Sequence, residues 1–148
     1  MVAFYQGSVM PVTYRIDTVE KMITTTCDGE VKLADVLAHF RELGSDPACT
    51  GELDVLLNVS DAHVVPQTPQ LSAVGGALGM IREKVQFRFC AIIASRDAMF
   101  GMMRVFEVFA SKYFHGIRVF RGLADAEAWL TAQRAGQEDG HRSDAHGV

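Results

Sequence analysis

Long hydrophobic runs are missing from this 148-residue chain. No apolar stretch approaches the ~20 residues that a membrane-spanning helix needs. The opening MVAFYQGSVMP has neither a basic start nor an apolar segment of leader length, so the chain reads as unexported. Cysteine is scarce: Cys27, Cys49 and Cys90 form no CxxC pair. An odd count without an export signal predicts a reducing, cytoplasmic setting in which thiols serve as small buried hydrophobes. A strong excess of one charge is also lacking. The net charge of −4 argues against a dedicated nucleic-acid binder.

Recognisable reactive clusters are missing as well. The five histidines, His39, His63, His115, His141 and His146, show no HxxxH or HxxEH spacing, and no cysteine sits at a ligand distance from them. No metal or cofactor is expected. Ser60, Asp61 and His63 lie together, but side chains so close in sequence diverge in direction. The serine also lacks the flanking glycines of a nucleophile elbow. The expectation is a protein that is not an enzyme.

What is present is an even alternation of strand and helix patterns. About half the residues are apolar, enough for one domain with a core. Val12, Tyr14 and Ile16 alternate with polar neighbours as in a half-buried strand, and Glu20 to Cys27 is rich in β-branched residues. With Asp17-Thr18 between them, the two predict an antiparallel hairpin. Leu33, Val36, Leu37 and Phe40 recur at helical spacing up to Gly44. The runs Leu53 to Val59 and Phe87 to Ala94 read as strands covered on both faces.

Three further helices follow from spacing and capping chemistry: one opening at Thr68-Pro69, one capped by Ser95 and running from Asp97 to Tyr113, and one carrying Leu123, Ala126 and Leu130. Ile117 to Phe120 forms a last short strand. The fold class is α/β: a mixed sheet with an opening hairpin, parallel crossovers and four helices. Residues 1–11 read as an N-terminal arm, 12–133 as the domain, and 134–148, polar and glycine-rich, as a disordered tail.

Charge is unevenly spread. Ile16 to Asp61 carries ten acidic residues against three basic, and Gly79 to Arg121 eight basic against three acidic. Such a bipolar chain can steer an anionic partner or pair head to tail with a second copy.

The stretches CDGEVKLADVLAHF, IIASRDAMFGMMRVFE and IRVFRGLADAEAWL, and above all the phrase FGMMRVFE, give the region from Val12 to Leu130 a resemblance to a known group. It resembles the small bacterial anti-sigma-factor-antagonist-like branch of the STAS superfamily. The resemblance implies a STAS-like fold, similar in broad design to the lipid-carrier CRAL-TRIO fold, and a regulatory role by protein binding. Signalling STAS domains carry a phosphorylated serine in an Asp-Ser-Ser-Gly-type loop before a helix. The matching loop here is Val65-Pro66-Gln67-Thr68-Pro69, which lacks the acidic residue and the glycine and leaves Thr68 as the candidate phosphorylation site.

Two surfaces are candidates for function. On the third helix, Met99, Met102, Met103, Phe106, Phe109, Ala110 and Tyr113 form a core stripe, yet Phe100, Val105 and Val108 fall on other faces. This excess, rimmed by Arg104 and Glu107, predicts a partner-binding surface, with a second copy of the chain as the first candidate and a homodimer as the result. The alternative occupant of the chain is an apolar, lipid-like small molecule in a pocket lined by the second and third helices. Its candidate ligand-binding residues are Asn58, Ser60 and Asp61, at a strand's carboxyl end, and Gly75 and Gly79, on a small-residue stripe of the second helix.

Overall fold

The computed structural model describes the backbone of residues 11–146 and the side-chain surroundings of residues 11–136. The elements run β1 (Val12–Asp17), β2 (Met22–Gly29), α1 (Leu33–Ser45), β3 (Gly51–Ala62), α2 (Thr68–Ile81), β4 (Val85–Ile93), α3 (Asp97–Ala110) with a 3-10 turn over Ser111–Tyr113, β5 (Gly116–Phe120) and α4 (Leu123–His146). The five strands form one sheet in the order β1-β2-β3-β4-β5. The β1–β2 pair is antiparallel and every later pair is parallel. This is the mixed α/β architecture that the sequence predicts.

The hairpin is tight because Asp17 Oδ1 accepts the backbone N–H groups of Val19 and Glu20. Lys21 then takes a left-handed φ of 58°. From β2 onward each crossover advances one strand in the same direction. Crossovers of uniform right hand therefore place α1, α2 and α3 on one face of the sheet. Their core includes Ile23, Leu53, Val59, Leu71, Leu78 and Met103. On the opposite face, among the described residues, α4 lies alone. Its Ala126 and Leu130 pack on Leu56, Phe89, Ala91 and Ile93, with Trp129 edge-on to Phe89. Alternation along β3 serves both layers, with Leu53, Val55, Leu57 and Val59 facing the three helices and Leu56 facing α4.

A bulge interrupts the β3–β4 ladder between Leu53 and Val55. There the fully buried Asp54 carboxylate accepts the Phe89 backbone N–H at 3.1 Å, replacing a lost ladder bond. The same carboxylate meets Arg134 Nε of α4 at 2.6 Å and Arg88 Nη2 at 3.2 Å. Arg134 also donates to the Glu20 carbonyl in the hairpin turn. One buried carboxylate thus fastens the last helix, the central strand and the hairpin together.

Several boundaries differ from the sequence reading, for identifiable reasons. β3 continues to Ala62, so Asn58, Ser60 and Asp61 lie within the strand and not in a loop after it. The residue capping α2 is Gln67, whose N–H is taken by Gln70 Oε1 at 2.7 Å, so Thr68 is the first helical residue. Arg96 and not Ser95 caps α3. The backbone of α4 stays helical to His146, across the segment whose composition reads as a tail. Alanine, glutamine, glutamate and arginine beyond Leu130 propagate a helix already nucleated by packing. The arm of residues 1–11 lies outside the described residues apart from Pro11, whose carbonyl accepts the Asp28 N–H.

Candidate functional site

The three-helix face does not close on the sheet. A cavity of about 160 Å³ lies among α1, α2, α3 and strands β2, β3 and β4. Its floor is Ile23, Val55, Leu57 and Val59, and its roof includes Val36, Phe40, Leu71, Val74 and Met103. Val55 and Leu57 stay only half-buried at the centre of the sheet because they face this space. The rim carries Lys32 at the start of α1, Val64 and Pro66 of the β3–α2 connection, and Gln70 in the first turn of α2. Lys32 and Val64 are exposed, so the space opens at the carboxyl ends of β2 and β3. Open α/β sheets hold ligands at this end of the strands.

Nearly all of the lining is apolar. Among its few polar side chains is His39, which shares the inward stripe of α1 with Val36, Phe40 and Leu43. Its imidazole is 7% exposed and packs edge-on against the Tyr14 ring at 5.3 Å. Nδ1 is enclosed without a hydrogen-bond partner among the described residues. Burial pushes the ring's pKa down to about 4, so it is neutral at pH 7. Tyr14 is anchored by its hydroxyl, which donates to Asp46 Oδ2 at 2.7 Å. Burial first, and that carboxylate second, push the phenol up.

Two thiols also line the space. Burial pushes Cys27 up to about 12, and it raises Cys90 further, helped by the charges of Asp54 and Glu107. Cys49, away from the cavity, rises to about 11 by burial against the opposing charge of Lys84. All three are buried, free thiols without thiolate character at pH 7.

The residues singled out by the sequence fall elsewhere. Ser60 Oγ donates to the Ile93 carbonyl and accepts the Ser95 N–H, tying the end of β3 to the loop before α3. Asn58 Oδ1 accepts the Ser60 N–H, and Asp61 is exposed. Gly75 lies against Phe109 of α3, where a Cβ would meet the Phe109 Cβ at 3.5 Å. At Gly79 a Cβ would come within 2.8 Å of the Tyr113 hydroxyl. These two glycines let α2 sit close on α3, and none of the five residues lines the cavity. The pocket instead recruits α1 as heavily as α2.

On α3, Phe100 is half-buried beneath the Arg121 guanidinium, 4.2 Å from its ring centre, and Val105 is half-buried against the core. Val108 alone of the three stays open, at 75% exposure. Arg104 pairs with Glu107 at 3.4 Å. Glu107 Oε1 also accepts the Val119 N–H of β5 at 3.2 Å, covering a donor on the edge strand. Thr68 is exposed in the first turn of α2. His63 and His115 are exposed, while His141 and His146 lie beyond the residues whose side chains are described. Among the described residues no three histidine, cysteine or acidic side chains group as metal ligands, and no helix is long and apolar enough to cross a membrane.

No protein-family model matches the chain, and no curated protein matches it closely enough to count as a relative.

Proposed function

We propose that this protein binds a small apolar molecule in the cavity beneath α1 and α2, as a carrier or sensor and without catalysing a reaction. The observation that carries the reading is the cavity itself: about 160 Å³ of greasy space in the main core, opening at the strand ends. In a closed core a void of that size costs about 4 kcal/mol relative to full packing. That is a large fraction of the roughly 5–15 kcal/mol by which a domain is stable. An engineered apolar cavity of about 150 Å³ stays dry and takes up benzene, which sets the scale of an occupant at one ring or a comparable aliphatic group.

The reading is tested by thermal unfolding with toluene as probe. At roughly 100 times its Kd a ligand specific to the folded state adds about 2.7 kcal/mol. For a chain of this length that is a rise in Tm of roughly 5–10 °C. Val74→Phe, which fills the space from α2, removes the response while keeping the fold. An unchanged Tm in the parent protein at saturating toluene rejects the reading.

A second reading is favoured by Val108, a large apolar side chain standing free on α3 beside Arg104. It is the STAS-like one: a regulatory module that binds a protein partner, itself included, through α3. Exposed Thr68 would be the site of a switching phosphate near the positive end of α2. Sedimentation distinguishes it. A homodimer that Val108→Asp dissociates supports this reading, and a monomer at micromolar concentration removes self-association through α3.

A further inference from the structure

Among the described residues the cavity wall carries a buried imidazole, His39, with a ring nitrogen that no protein group satisfies. His39 sits six residues along α1 from Leu33, about 9 Å in from the rim at 1.5 Å per residue. Its Nδ1 has no hydrogen-bond partner among the described residues, and both neighbouring aromatics, Tyr14 and Phe40, pack against the ring. A buried polar group left in this state costs about as much as a lost hydrogen bond. An apolar residue at position 39 would line the same wall without that cost.

We propose that the ligand is a compact, neutral molecule carrying one hydroxyl, of the phenol or small-alcohol class, whose hydroxyl hydrogen-bonds the His39 imidazole. This rests on the cavity reading above and specifies the occupant. A neutral imidazole presents one donor and one acceptor, and a hydroxyl can answer either. An anion fits poorly, because the cationic side chain on the lining, Lys32, stands at the exposed rim and not beside His39. A carboxylate drawn inside would be a desolvated charge facing apolar walls. A plain hydrocarbon fills the space but leaves the imidazole as it is.

Calorimetry or NMR titration of the full chain with benzene, phenol and benzoate tests this, in the parent protein and in His39→Leu. The expected result in the parent is phenol bound at least as tightly as benzene, with benzoate weakest. In His39→Leu benzene affinity stays within about twofold, while phenol weakens by about tenfold or more, since its hydroxyl is now buried unpaired. Benzene binding serves as the control that the variant is folded. In the parent, phenol moves the ring nitrogen resonances of His39 well beyond the ring-current shift that benzene gives. Phenol binding more weakly than benzene in the parent, a benzene-to-phenol ratio untouched by His39→Leu, or benzoate binding tightest overturns the proposal and leaves the cavity reading standing. Binding of none of the three rejects both.

Discussion

His39 makes its burial measurable through pH. The unfolded chain protonates this ring near its ordinary value of 6.5, whereas the folded chain holds it neutral down to about 4. Between those values the unfolded state binds the extra proton, so this residue's contribution to stability is intact above pH 6.5 and is lost as pH falls towards 4. The full loss is about 3 kcal/mol. Denaturant unfolding at pH 7 and pH 4.5 should show that component in the parent and its absence in His39→Leu. Asp54 makes a different kind of test. Its carboxylate is wholly buried between Arg88 and Arg134, and Arg88 Nε already lacks a partner. Asp54→Ala leaves two guanidinium groups without their counter-charge and should cost about 3–5 kcal/mol in chemical denaturation, with α4 the first element to lose amide protection. Neither residue's part was legible in the sequence. His39 shares a helical stripe with Val36 and Leu43, which marks it as inward-facing, but its lack of a partner depends on which strand lies opposite. Asp54 sits inside an apolar run, and its partners lie 34 and 80 positions away.

At the scale of elements, the glycines of α2 separate two roles that a sequence stripe cannot. Gly76 faces open space, so Gly76→Ala gains helix propensity alone and should stabilise by about 1 kcal/mol. Gly79 faces the Tyr113 ring, and Gly79→Leu should destabilise by roughly 1–3 kcal/mol by displacing that ring and the 3-10 turn that follows α3. Thermal melts of the two variants moving in opposite directions would confirm close α2–α3 packing, and equal shifts would deny it. The order and type of every described strand and α-helix followed from periodicity and turn chemistry, because those signals are local, whereas the 3-10 turn over Ser111–Tyr113 read as the end of the third helix. Caps and ends did not. Gln67 caps α2 in place of the stronger-looking Thr68, and β3 outruns its apolar stretch to Ala62, because a parallel ladder with Gly29 and Asp28 of β2 extends the strand beyond what its side chains announce. On α3 the apolar excess was legible, but its cover was not. Arg121 lies in the segment after β5 and closes over Phe100 only once β5 is paired beside β4.

Across the described residues, helix coverage is unequal: three helices on one face enclose a space, while one helix, α4, covers the other. A void is a mismatch among side-chain volumes drawn from seven elements, β1 included through Val12, so no window of sequence carries it. The alternation that predicts the sheet says which residues face inward and not whether they meet. The unequal coverage has a functional consequence, because the loosely closed layer is also the one that opens at the strand ends. Methyl NMR of the protein under xenon pressure tests this most directly, since xenon enters dry apolar cavities without needing a hydrogen bond. Saturable shifts should appear at Val55, Leu57, Leu71, Val74 and Leu78, which line the space, and be absent at exposed Val108. Shifts that grow linearly at surface methyls while those five stay fixed would contradict an accessible core cavity.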